Sequence, residues 1–97
     1  MEENSSIEKT DYCYGQELLA YQYAEEAVKQ KLKAPSTAKF PSSSEQMQQT
    51  VSIGNCSYKI DSWVDSQNSF GAMLRAKFSC TIVFDNEKVR YEDLKIE

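Results

Sequence analysis

The chain has 97 residues, 40% of them hydrophobic and 27% charged, which fits one globular domain with one core and excludes a second lobe or a mostly disordered polymer. Fifteen acidic against eleven basic residues give a net charge of -4, which disfavours a nucleic-acid backbone or an anionic membrane as partner and favours a protein surface. Histidine is absent, which removes Ser-His-Asp and Cys-His catalysis, histidine acid-base chemistry and most zinc or iron enzymes.

Met1 to Thr10 is a polar segment without the basic start or apolar core of a signal peptide, and is expected as a flexible tail ahead of a single domain over 11–97. No stretch has the length of a membrane helix, so direct membrane insertion is not expected. From Asp11 to Lys33 there is no proline, and Ala20, Tyr21, Ala24, Ala27, Val28 and Leu32 recur at intervals of three and four. That spacing predicts one helix face, with the helix starting near Gly15 or Gln16 and stopping at Lys33, because Pro35 pushes Ala34 out of the α region. Ser36 is placed to cap a short turn over Thr37 to Phe40, with Phe40 docking the connection on the core before Pro41 ends it.

Ser42 to Gln46 reads as a polar linker and Met47 to Ile53 as a first, edge strand, followed by a turn at Gly54 and Asn55. Three antiparallel strands are then expected over Cys56 to Asp65, Ala72 to Phe84 and Lys88 to Ile96. Even positions, from Tyr58, Ile60 and Val64 to Leu74, Ala76, Phe78, Cys80, Ile82 and Phe84, carry the apolar set and should meet the helix, while Trp63, Met73, Arg75 and Lys77 point away. The fold class is therefore α+β, one N-terminal helix on a four-stranded antiparallel meander.

Two registers suit the central hairpin. Opposed positions summing to 138 set Asp61 against Lys77 and Trp63 against Arg75, and this register is favoured; a sum of 136 sets Lys59 against Lys77 and Cys56 opposite Cys80. Cys13, Cys56 and Cys80 are too few for a four-ligand zinc cluster, so no metal site is expected, and Cys56 with Cys80 is the favoured pair if a bridge forms. In an oxidising compartment one disulfide and one free thiol are expected, in the cytoplasm three thiols.

No constellation supports catalysis, and no cofactor is expected. Asp61 and Asp65 share a strand face but stand roughly 13 Å apart at the strand rise, too far for the paired carboxylates of a glycosidase. Gly15, Gly54 and Gly71 are isolated, so no phosphate-cradling loop exists. The sharpest functional hint is Trp63 beside Met73 and Arg75 on the polar sheet face, the composition of an interface centre; the structural alternative is a cross-strand stack of Trp63 under Arg75. Phe70, in the adjoining loop, is either an exposed contact or, the favoured reading, a loop anchor. Tyr12, Tyr14, Tyr21 and Tyr23 cluster about the helix start and are expected to divide between core edge and surface.

The helix-plus-meander plan resembles cystatin-like folds. The inhibitor motif Q-x-V-x-G is only half met, since Gln49 and Val51 match but Ile53 stands at the glycine position, so cysteine-protease inhibition is not carried over. LKAPSTAKFP at Leu32 to Pro41 together with WVDSQNSFGAMLRAKFSC at Trp63 to Cys80 resembles small bacterial and phage-encoded lipoprotein-like domains, in which a PSTAKFP turn follows a helix and a later hairpin reads NSFGA-x-x-R. The resemblance implies a non-enzymatic, extracytoplasmic protein-binding or accessory domain, with Asn68, Phe70, Gly71 and Arg75 in the shared hairpin motif. Trp63, Asn68, Phe70, Met73 and Arg75 are the candidate partner-binding residues. The competing expectation is a small acidic cytoplasmic inhibitor, of phage or mobile-element origin, occupying a basic site on a host or defence protein.

Overall fold

A computed structural model describes residues 14–86 and 88–97. The segment 1–10, Tyr12 and Cys13 lie outside the described residues. One main helix, α1 (Glu17–Lys29), packs on a four-stranded antiparallel meander, β1 (Thr50–Gly54), β2 (Ser57–Gln67), β3 (Met73–Asp85) and β4 (Lys88–Ile96), with neighbours in chain order. A 3-10 turn (Pro35–Thr37) and a short helix α2 (Ser43–Gln48) connect helix and sheet. Among the described residues no helix is long and apolar enough to cross a membrane.

The helix lies close to the sheet because its inner stripe is small. Ala20, Ala24 and Ala27 are buried between Tyr21 and Val28, and the sheet answers with Tyr58, Ile60, Val64, Phe78, Cys80, Ile82 and Phe84. Tyr21, Tyr58, Ile60, Ile82, Val28 and Val64 are fully buried, and burying a Val or Ile side chain stabilises by about 1.5–3 kcal/mol. Rings interlock edge to face: Tyr21 with Phe40 and Phe78, and Phe84 with Tyr23 and Tyr58, at centroid separations of 5.9–6.2 Å. At the start of the helix, the Gln16 amide donates to the Tyr58 hydroxyl at 3.1 Å.

The α-helix ends at Lys29, four residues before the expected stop. Lys31 N donates to Val28 O and Leu32 N to Lys29 O, so the last turn tightens to i,i+3 bonding as the chain approaches Pro35. Ala34 is extended, with φ -129° and ψ 74°, as a residue before proline must be. The turn that follows covers Pro35 to Thr37 rather than Thr37 to Phe40.

Ser42 to Gln46 is not a linker. Ser42 caps α2 in a capping box with Glu45, whose amide and carboxylate bond the Ser42 hydroxyl and amide at 3.4 Å. Met47 and Gln48 are helical in consequence, and the edge strand begins at Thr50. Its hairpin turns on Asn55 and Cys56, both with positive φ, which is the two-residue turn matched to strand twist.

The faces follow the expected parity, but the register does not. Opposed positions in β2 and β3 sum to 140, pairing Ile60 with Cys80, Trp63 with Lys77 and Asp65 with Arg75. Asn68 sets this offset. Its amide donates to Ala72 O at 2.9 Å, and its side-chain Oδ1 accepts from the amides of Phe70 and Ala72, so the loop closes two residues later than a loop beginning at Ser66 would. Gly71, at φ 85°, supplies the left-handed residue the closure needs.

The favoured cysteine pair is also corrected. Cys56 is disulfide-bonded, but Cys80 is free and buried at the centre of the core opposite Ile60. The cross-strand neighbour of Cys56 is Phe84, whose amide donates to Cys56 O, and Cys80 lies four residues along β3 from it, roughly 13 Å at the strand rise.

Candidate functional site

The outer face of the sheet, opposite α1, carries no second layer among the described residues. Lys59, Asp61, Trp63 and Asp65 on β2 and Arg75, Lys77 and Ser79 on β3 line it. A shallow open trough of about 370 Å³ runs past Asp61, Trp63, Lys77, Ser79, Lys95 and Glu97. Two ammonium groups and two carboxylates border one indole there, which suits a polar protein surface with an aromatic contact better than an enclosed apolar ligand.

Arg75 organises the distal half of this face. Its Nε and Nη2 donate to both Asp65 carboxylate oxygens at 2.8 and 3.0 Å, while its guanidinium carbon stands 3.7 Å from the Trp63 ring centroid. Hydrogen bonding from Arg75 holds the Asp65 carboxyl below the usual range and, reciprocally, pushes the guanidinium pKa up. The stack of Trp63 under Arg75 is thus present, and the ion-pair partner of Arg75 is Asp65. Trp63 is half-buried beneath it.

From the other side the same carboxylate-bearing residue is fixed through its main chain. Lys39 N donates to Asp65 O and Asp65 N to Lys39 O, at 2.8 and 2.9 Å. Two residues away, Thr37 Oγ1 accepts from Gln67 N at 2.9 Å and donates to Ala34 O at 2.7 Å. The PSTAKFP segment therefore continues the β1 side of the sheet along the distal half of β2, and Phe40 anchors it between Tyr21 and Phe78. The two sequence motifs meet at Asp65.

Beyond this clamp the hairpin runs out past the core, in a molecule 59 Å long and 23 Å wide. Phe70 at its tip is 92% exposed, which overturns the loop-anchor reading. Met73 and Leu74 are about half exposed; Leu74 shares the parity of the core positions but lies outside the core. Of the five candidate residues, Trp63 and Arg75 are in direct contact, Asn68 closes the loop, and Phe70 and Met73 present exposed apolar surface.

Two buried polar residues, Thr50 and Ser62, had no assigned role in the sequence, and the Thr50 hydroxyl donates to Gln46 O at 2.8 Å. Ser62 sits on the inner face between Ile60 and Val64, and its hydroxyl donates to Gln49 Oε1 at 2.5 Å while sharing a 2.6 Å hydrogen bond with the Tyr21 hydroxyl. The parity of Ser62 among core positions was the available signal: a buried hydroxyl there must find a partner. Burial pushes the Tyr21 hydroxyl up to about 12 and the Cys80 thiol up to about 11, so both are held neutral and unreactive. No group of three His, Cys, Asp or Glu side chains that could hold a metal ion occurs among the described residues.

Comparison with family models, curated proteins and solved structures gives no match.

Proposed function

We propose that the chain is a non-enzymatic protein-binding or accessory domain of a bacterial or phage envelope protein, engaging its partner through the outer sheet face and the tip of the β2–β3 hairpin. The observation that carries this reading is Phe70. A phenylalanine exposed to 92% at the end of a hairpin whose loop is closed by Asn68 contributes almost nothing to the core, and presenting it in a fixed position is what a binding anchor requires. Trp63 and Arg75 supply a second, ordered contact area on the same hairpin.

The envelope location is supported by the PSTAKFP and NSFGA-x-x-R motifs and by the disulfide at Cys56, a bond that persists outside the reducing cytoplasm. The test is photo-crosslinking in the native host, with the crosslinking residue at position 70 and, as control, at the exposed Glu92. A discrete adduct from position 70 that is absent from position 92, and lost when Trp63→Ala and Arg75→Glu are added, is expected. Equal labelling from both positions would overturn the reading, and an adduct to a basic cytoplasmic protein would put the acidic-inhibitor reading in its place.

A further inference from the structure

The β2–β3 hairpin is longer than the strands that flank it, and its two outer edges end differently. On the β2 side, Lys39 and Thr37 take up the backbone groups of Asp65 and Gln67. On the β3 side, among the described residues, Ile96 of β4 pairs with Phe78 and Glu97 N donates to Lys77 O at 2.8 Å. Ala72 O accepts from Asn68 and so points to β2, whereas Lys77 O points to the β4 side. By strand alternation, the amides and carbonyls of Met73 and Arg75 also face the β4 side, where no described strand lies opposite them.

We propose that this edge pairs with the same edge of a second copy of the chain, antiparallel, about a two-fold axis through Leu74. Register selects the arrangement. Only odd positions offer outward backbone groups, so the opposed numbers must sum to 146, 148 or 150. A sum of 150 sets Arg75 against Arg75 and calls on Lys77, whose carbonyl already accepts from Glu97. A sum of 146 sets Arg75 against Gly71, whose amide already bonds Asn68 O. At 148, Met73 of each copy exchanges both backbone bonds with Arg75 of the other, closing four hydrogen bonds.

Side chains agree with that choice. Leu74 meets Leu74 in the close, non-hydrogen-bonded position, and the small Ala72 and Ala76 face each other beside it. Met73 lies against the stem of Arg75, whose charge is already neutralised by both oxygens of Asp65. No like charges stand directly opposed. The join removes the half-exposed Met73 and Leu74 from water and completes an edge that is otherwise a template for uncontrolled pairing. It concerns backbone groups of β3 and is independent of what Phe70 contacts.

The whole chain is tested by sedimentation up to about 1 mM, since an interface this short is well below the standard size of about 1,600 Å² and self-association should be weak. A concentration-dependent dimer is expected, and Leu74→Asp, which places two carboxylates on the axis, should weaken it at least about tenfold. Met73→Pro removes only the outward amide and should do the same while leaving the hairpin bonds of Ala72 in place. Under mild oxidation Leu74→Cys should give a covalent dimer much faster than Met73→Cys, because only position 74 meets its own copy. A wild-type chain that stays monomeric at the highest concentration, or equal cross-linking from positions 73 and 74, overturns the proposal.

Discussion

Lys39 and Asp65 exchange both of their main-chain hydrogen bonds across the edge of the sheet, and the side chain of Asp65 grips Arg75 on the far side. One residue thus ties the connection after the helix to the protruding hairpin, which is why the PSTAKFP turn and the NSFGA-x-x-R hairpin act as one structural unit. Thr37 is the most exposed to test. Thr37→Val keeps the shape but loses the bond accepted from Gln67 N and the bond donated to Ala34 O. A loss of about 1–2 kcal/mol in urea denaturation is expected, with faster hydrogen exchange at Gln67.

Asp65 also gives the hairpin an acid limit. Its folded pKa lies below the ordinary 3.8, so the Asp65–Arg75 pair contributes stability that is present above that value and is lost as pH falls through the folded pKa. Asp65→Asn should lower stability across the neutral region and remove the acid slope below pH 3.8, so that variant and wild type converge as the carboxyl protonates. Trp63, the single tryptophan, reports the same event: acid release of Arg75 or the substitution Arg75→Ala should change its fluorescence intensity and emission maximum.

At the other end of the pH scale the decisive group is Tyr21. Its folded pKa of about 12 is raised above the unfolded value of 10, so the stability it contributes is complete below pH 10 and is lost as pH rises towards 12. Tyr21→Phe should remove that alkaline slope. Ser62→Ala leaves the Tyr21 hydroxyl and Gln49 Oε1 without their shared partner, and should cost about 1–3 kcal/mol at neutral pH, measured by thermal or denaturant unfolding.

Cys80 should be silent to alkylating reagents in the folded chain, because it is fully buried and its pKa is pushed up to about 11. Intact mass of unreduced protein is expected to show no adduct when native and one when unfolded. Cys80→Ser should leave the disulfide at Cys56 in place, and its loss in that variant would refute the assignment of Cys80 as the free thiol.

The helix face, the meander order and the parity of β2 and β3 were legible because each rests on a repeat of apolar residues that only one period fits. The central register was not, because sums of 136, 138 and 140 bury the same side chains and differ only in where the loop closes. Asn68 carried that information in its side chain, as an acceptor for two loop amides, and hydrophobic patterning is blind to it. The short helix α2 was missed in spite of a written signal, Ser42 with Glu45 three residues on. At the candidate site, the stack of Trp63 under Arg75 was among the alternatives weighed. The meeting of Lys39 with Asp65 was not, since it joins backbone groups across 26 positions and leaves no trace in side-chain type.

Cys56 occupies the second position of its turn with φ 57°, a backbone state in which glycine is at ease and a side chain with a β-carbon is not. A disulfide contributes about 2–4 kcal/mol and a left-handed non-glycine residue costs about 1–2 kcal/mol, so reduction removes the larger contribution and leaves the strain of the corner in place.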